Sequence, residues 1–224
     1  MSRLHTQQIK TSKQRNTWQD SLLALWDARL AGLRPDVVAY TESITACGKC
    51  AQWHEALALL TGMPRWLLEP DVIACSAAIS ACERGARWHV AIGIFVDMRL
   101  RRLRPNVITY NAAMSAVGKG SHWHEAMDMF ADMQLKRFSM SVVTCNAAIN
   151  AYKTGAKWQE VVALMMDMRS CKARPDVITF SAAISACHKG GLWHEAIRMF
   201  SSMQLYRLEP NVITYNAIVS ACGN

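Results

Sequence analysis

The chain has 224 residues, of which 51% are hydrophobic and 19% are charged, a length that suits one large domain or two ordinary ones with a buried core. No apolar run approaches the roughly 18 residues needed to cross a membrane, so the sequence excludes a membrane-spanning protein. The formal net charge of +8 attracts polyanions by a non-specific, salt-screened force, which alone is weak support for nucleic-acid binding.

The N-terminal stretch 1–19 is basic and contains no acidic residue. Its four cations are Arg3, Lys10, Lys13 and Arg15. This composition is typical of the tail of an organelle transit peptide, and equally of a degenerate basic helix. Both interpretations stay open, the transit-peptide remnant being assigned to residues 1–17.

A period of 35 residues runs through the rest of the chain. The residues that keep this step are Trp18, Trp53, Trp88, Trp123, Trp158 and Trp193; Ala46, Ala81, Ala116, Ala151, Ala186 and Ala221; and Met63, Met98, Met133, Met168 and Met203. A proline keeps the same step except at Met140. An unbroken period of this size predicts a solenoid of supersecondary units, none of which can bury its apolar face alone.

The unit 107–141 contains two apolar stripes at helical spacing. The first stripe is Tyr110, Met114 and Val117, and the second is Trp123, Ala126, Met127, Phe130 and Met133. They predict two antiparallel helices, named helix A and helix B of each repeat. We expect Thr109 to be the N-cap of this helix A and Gly118–Gly120 to end it. The recurring alanine predicts a close approach between neighbouring helices.

The predicted architecture is all-α, a right-handed α-solenoid of helix-turn-helix repeats. Residues 1–36 form a degenerate first repeat, and five full repeats span 37–71, 72–106, 107–141, 142–176 and 177–211. Residues 212–224 hold helix A of a truncated repeat, which favours a fragment of a longer array. Pro64 is expected to end its helix B about one turn early and to leave Trp66 in a longer connector.

The cysteines and histidines that recur with this period are interpreted as structural. Cys47, Cys82, Cys187 and Cys222 share one phase whose remaining slots hold Val117 and Tyr152, which indicates small buried hydrophobic side chains. The histidines are 35 residues or more apart, so each belongs to a different repeat. They are His54, His89, His124 and His194. The sequence predicts no metal site, cofactor, catalytic site or small-molecule substrate.

The repeats closely resemble those of the pentatricopeptide repeat family. The resemblance rests on the 35-residue unit, openings such as "VITYN", "WHEA" or "WQE" at the start of helix B, "MF" followed three residues later by Met, and a closing Pro-Asp or Pro-Asn. It covers residues 2–224. The family implies binding of single-stranded RNA along the helix A face, generally in plastids or mitochondria, with one base read per repeat. A protein-binding solenoid is the alternative.

The resemblance also implies which residues contact RNA. In that family the fifth and last residues of a repeat, here called its reading pair, read one base. The pairs are Thr41 with Asp71 for G, Ser76 with Asn106 for A, Asn111 with Ser141 for C, Asn146 with Asp176 for U, and Ser181 with Asn211 for A, while Asn216 opens a sixth pair. The expected site is 5′-GACUA-3′. Thr, Ser and Asn at these places are also common helix caps and turn residues.

Two further sets of residues are expected to face the RNA. The second residue of each repeat, here called the wedge residue, is implied by the family to lie between adjacent bases. The wedge residues are Val38, Ile73, Ile108, Val143, Ile178 and Ile213. Lys49, Arg84, Lys119 and Lys189 share one phase at the end of helix A, where they could follow phosphates or favour the negative end of the helix dipole.

The function expected from the resemblance is therefore sequence-selective RNA binding without catalysis. The chain would act in RNA processing, stability, editing or translation, with other RNA-processing proteins as further partners. The predicted location is an organelle, with the chloroplast favoured over the mitochondrion.

Overall fold

A computed structural model describes residues 18–170 and 173–223, and within them the chain is α-helical with no strand. The transit-peptide remnant predicted at 1–17 lies outside these residues. The helices are α1 Trp18–Leu30, α2 Val37–Lys49, α3 Trp53–Gly62, α4 Val72–Arg84, α5 Trp88–Leu100, α6 Val107–Lys119, α7 Trp123–Leu135, α8 Val142–Thr154, α9 Trp158–Ser170, α10 Val177–Lys189, α11 Trp193–Leu205 and α12 Val212–Cys222. None of them is long and apolar enough to cross a membrane.

The chain divides into two compact units, one ending at Ala116 and the other beginning at Val117. In the first unit, α2 packs against α1, α3 and α4, and α4 packs against α5. In the second, α8 packs against α7, α9 and α10, and α10 packs against α11 and α12. Each unit is thus a series of helical hairpins in which consecutive A helices lie side by side.

The close approach predicted at the recurring alanines is present within both units. All six of these alanines are at most 5% exposed. A methyl group added at Gly48 would lie 3.4 Å from the Ala81 side chain, and one added at Gly118 would lie 3.0 Å from that of Ala151. The A helices therefore pack nearly backbone to backbone, and the larger Met and Tyr side chains fill the space between helices A and B.

The periodic tryptophan at the start of helix B contacts the end of the following helix A. The indole of Trp53 lies where a side chain at Gly85 would be, and Trp123 and Trp158 are placed in the same way against Gly155 and Gly190. These glycines are the C-caps of α4, α8 and α10. We call each such contact a Trp–Gly lock. It joins one repeat to the next at these three places.

Pro64 shortens helix B as predicted. Helix α3 ends at Gly62 after 10 residues, whereas the other described B helices have 13. A 3-10 turn, Met63–Trp66, follows it, because proline has no N–H to continue the α-helical ladder. The connector leaves Trp66 about half exposed.

The cysteine prediction is confirmed at three of its four positions. Cys47, Cys82 and Cys187 are buried, and burial raises the pKa of Cys47 to about 12 and the pKa values of Cys82 and Cys187 to about 11. The prediction is wrong for Cys222, which is exposed, because no described helix packs over that end of α12.

Candidate nucleic-acid interface

The last residue of each repeat caps the next helix A. Asp36, Asp71, Ser141, Asp176 and Asn211 have extended backbones, and their side chains accept a hydrogen bond from the backbone N–H three residues later. Asn106 does the same for Thr109, with an N–H to Oδ1 distance of 2.9 Å. The expectation that Thr109 is the N-cap is therefore wrong. The helix begins at Val107, three residues before the Tyr110 start that this expectation implied, because Asn106 reaches the free N–H groups from just outside it.

The wedge residues are exposed at every helix A N-terminus. Their exposed fractions run from 49% for Val38 to 66% for Val143. The two residues that follow each of them in α2, α4, α6, α8 and α10 are buried. A branched aliphatic side chain is thus held in solvent at the same place in each repeat, next to the fifth residue of that repeat.

One reading pair is joined directly by hydrogen bonds. The Asn146 Nδ2 group donates to Asp176 Oδ1 at 3.2 Å and to Oδ2 at 3.4 Å, although the residues are 30 positions apart. Neighbouring A helices therefore bring the fifth residue of a repeat and its last residue into contact. Both side chains are partly exposed.

The hydroxyl-bearing fifth residues are more enclosed. Ser76 and Ser181 are each 6% exposed, and Thr41, Ser76 and Ser181 donate to the carbonyl four residues earlier at 2.6–2.8 Å. Each hydroxyl would have to rotate away from that carbonyl to donate to a base. Asn111 is partly exposed, and Ser141 and Asn216 are exposed.

A buried threonine that the sequence reasoning missed connects the reading pairs. The third residue of four repeats is Thr109, Thr144, Thr179 or Thr214, each 0% exposed. Thr179 Oγ1 donates to Asn146 Oδ1 at 2.6 Å and lies 2.8 Å from Asp176 Oδ1. The recurrence of this threonine is visible in the sequence, but its partner 33 residues away is not.

Asp176 has a pKa below its ordinary value. Burial by itself would raise it, but hydrogen bonds from the Thr179 N–H and the Asn146 amide, with the Thr179 hydroxyl 2.8 Å from the carboxylate, outweigh burial. The carboxylate that Asn146 faces is therefore charged near neutral pH. Its contribution to stability is present above the unfolded-state pKa and is lost as the pH falls through the lower folded-state value.

The predicted phosphate-contacting residues are exposed at the ends of their helices. They are Lys49, Arg84, Lys119 and Lys189. Arg84 also donates to the Gly48 carbonyl oxygen at 3.3 Å, which is a helix C-terminal role. Lys153 stands one residue before Thr154, where this row lacks a cation. Burial and the charge of Lys189 lower the pKa of Lys153. Lys153 is therefore a further cation near this row.

The periodic histidines lie against tryptophan. The rings of His54, His124 and His194 have centroids 3.2–3.4 Å from those of the preceding indoles. Within residues 18–170 and 173–223, no three His, Cys, Asp or Glu side chains form a group that could hold a metal ion.

Sequence models of one repeat family match the chain. A model described as the PPR repeat family matches residues 140–189 and 175–224, one described as the pentatricopeptide repeat domain matches 58–120, and one described as the PPR repeat matches 108–138. Together they cover residues 58–224 except Ser139. No curated protein sequence matches the chain significantly.

Solved structures share the fold. The pentatricopeptide repeat protein PPR10, in complex with an 18-nt psaJ RNA element, superposes with a TM-score of 0.80 at 24% identity over 97% of this chain. A crystal structure of PPR10 from maize superposes with a TM-score of 0.70 at 26% identity over 96% of this chain. The chain spans about a third of PPR10, 32% and 31% in these two structures.

A third structure is the PPR domain of Arabidopsis thaliana protein-only RNase P 1 in complex with tRNA. It gives a TM-score of 0.68 at 13% identity and covers 82% of this chain and 96% of that one. These likenesses confirm the predicted all-α solenoid fold class. With the repeat-family models over most of its length, they establish that the chain belongs to the pentatricopeptide repeat family.

Proposed function

We propose that the protein binds single-stranded RNA sequence-selectively, reading one base per repeat, with 5′-GACUA-3′ as its preferred site. The observation that carries the proposal is the combination found at each helix A N-terminus. An exposed aliphatic wedge residue stands beside a polar fifth residue, and in the Asn146–Asp176 pair the two reading residues hydrogen-bond to each other. Apolar groups left in solvent at regular intervals suit unstacked bases.

The proposal assigns a role to each part of the chain. The five repeats within 37–211 would read the bases, the degenerate repeat 1–36 would precede them, and Asn216 in residues 212–224 would open a sixth pair. Lys49, Arg84, Lys119 and Lys189 would contact phosphates. The RNA complexes of PPR10 and of the RNase P PPR domain support RNA as the partner.

The cellular role proposed is that of a non-catalytic factor in an organelle, with the chloroplast favoured over the mitochondrion. By occupying a short RNA segment, it would act in processing, stability, editing or translation, together with other RNA-processing proteins. Five bases specify only about one random position in a thousand, and one mismatch costs about 1–3 kcal/mol. Partners or further repeats would supply the remaining specificity.

An RNA titration tests the proposal. We expect a labelled oligonucleotide containing GACUA to bind more tightly than its scrambled control. If all four predicted cations contact phosphates, raising the salt from 50 to 200 mM should weaken binding about fifty-fold, since each contact on a single strand contributes about 0.7 to the logarithmic slope. Equal binding of both oligonucleotides would contradict sequence-selective reading. No binding at either salt concentration would favour the protein-binding solenoid.

The variant Asn146→Thr tests the pair assignment. A threonine beside Asp176 repeats the pair Thr41–Asp71, so we expect the preference at the fourth base to move from U to G by about tenfold. Affinities for a panel of oligonucleotides that vary one base at a time measure this. The preferences at the other four bases are the internal control, and a shift that affects all positions or none would contradict the assignment.

A further inference from the structure

The third-position threonines connect the two members of three reading pairs. Thr109 Oγ1 is 2.6 Å from Ser76 Oγ and 2.9 Å from Asn106 Oδ1. Thr214 repeats this geometry with Ser181 and Asn211 at 2.7 and 2.9 Å. Thr179 repeats it with Asn146 and Asp176. The same three-residue arrangement therefore occurs in both compact units.

Helix capping uses only the oxygen of the threonine hydroxyl, which accepts from the Asp176 N–H at 3.1 Å in Thr179 and from the Asn106 N–H at 3.3 Å in Thr109; the hydroxyl hydrogen has no part in the cap. The cap uses the backbone N–H of the third residue, which alanine supplies equally well. Ala39 and Ala74 occupy this position in the first two full repeats, and their N–H groups donate to Asp36 and Asp71 at 2.8 and 2.7 Å. Because burying a hydroxyl is costly unless it is hydrogen-bonded, its bonds to the reading pair are the role that remains.

At Asn146 the carboxylate and the hydroxyl together hold the amide in one orientation. Thr179 is a donor toward Asn146 Oδ1, and the Asp176 carboxylate is an acceptor for Nδ2. Turning the amide by 180° would place its oxygen against the carboxylate oxygens and give up both bonds. The site therefore holds one orientation, with one Nδ2 hydrogen and one Oδ1 lone pair still available to a ligand.

Amide orientation matters because it separates the two pyrimidines. Uracil presents an N3–H donor next to a carbonyl acceptor, whereas cytosine presents an N3 acceptor next to an amino donor. An amide turned by 180° exchanges its own donor and acceptor, so a freely turning amide would accept either base. An amide held in one orientation matches only one of them.

We infer that Thr179 is a positioning residue for base discrimination: its hydroxyl, together with the Asp176 carboxylate, holds the Asn146 amide in one orientation and thereby makes the fourth full repeat selective for U over C. The inference rests on the proposed RNA-binding function. The hydroxyls of Thr109 and Thr214 lie 2.6 and 2.7 Å from those of Ser76 and Ser181. The Thr41–Asp71 pair faces Ala74, which has no hydroxyl. We therefore expect it to discriminate between bases less sharply than the three pairs that a threonine contacts.

The test is Thr179→Val, which keeps the shape of the side chain and removes the hydroxyl. Dissociation constants are measured for two oligonucleotides that differ only in U or C at the fourth base of GACUA. We expect the wild type to prefer U by about tenfold and the variant to lose most of that preference. Thr179→Ser, which restores the hydroxyl, should restore it.

Matched measurements separate this inference from other outcomes. Thr214→Val should leave the U-to-C ratio at the fourth base unchanged and affect only the fifth base. If Thr179→Val weakens both oligonucleotides equally, or keeps the tenfold ratio, Thr179 does not position the amide. If the wild type itself shows no preference at any base, the proposed readout fails instead.

Discussion

Replacing Phe180 with alanine is expected to lower the free energy of unfolding by about 3–5 kcal/mol, the usual cost of removing a large buried aromatic side chain. Phe180 is 1% exposed, and its ring centroid lies 5.4 Å from that of Tyr206, the residue after helix α11. It therefore joins helix A of its repeat to the end of helix B. Urea unfolding followed by circular dichroism measures the change.

The matched control for this variant is Tyr215→Ala. Tyr215 holds the same place in its repeat as Phe180 but is 53% exposed, and its ring centroid lies 5.7 Å from that of Phe200. Its loss should cost no more than about 1 kcal/mol. Equal losses from the two variants would show that burial at this position does not determine stability.

Replacing Gly155 with alanine is expected to destabilise the protein by about 1–3 kcal/mol through overpacking. The new methyl carbon would lie 2.3 Å from Trp123 Cδ1 and 2.5 Å from Cγ. The indole is held from other sides by the His124 ring and by the Lys157 ammonium group, 4.3 Å from its centroid. Gly155 has φ −88°, so the backbone itself accepts alanine and the strain comes from the indole.

Gly93→Ala is the control for the glycine variant. Gly93 is exposed within helix α5, and no atom lies within 4 Å of an added methyl carbon. Alanine there should stabilise the helix by about 0.5–1 kcal/mol, since it is the better helix former. Thermal unfolding and the emission wavelength of the tryptophans follow both variants. A Gly155→Ala protein as stable as the wild type would show that the Trp–Gly lock is loose.

The fold could be predicted from the sequence because the same local sequence pattern recurs in every repeat. Each repeat shows the same apolar stripes and the same turn residues, so the helices follow from one repeat. Thr109 was misassigned because threonine and asparagine are both good N-caps and stand near the same helix start. Only the extended backbone just before each helix decides between them. Cys222 occupies the periodic position but is not buried, since burial also requires a neighbouring helix.

The candidate site was predictable only as a set of positions. The wedge residues are exposed, and their place between bases stays a prediction. The hydrogen bond between Asn146 and Asp176, and the threonine that bridges them, join atoms on different helices. Such contacts depend on how neighbouring A helices are set against each other, and a sequence period does not specify that spacing. The Trp–Gly locks were missed for the same reason, although both residues are prominent in the sequence.

The Trp–Gly lock also bears on how such a chain can change in length. Each lock takes its indole from one repeat and its glycine from the next, so the contact is the same wherever the chain is cut in units of 35. A deletion of residues 142–176 would join Ser141 to Val177 and bring Gly190 to the place of Gly155 beside Trp123. Unequal recombination within the gene could thus remove or add a repeat without requiring a new interface. Under the proposed function, each such event would shorten or lengthen the recognised RNA by one base.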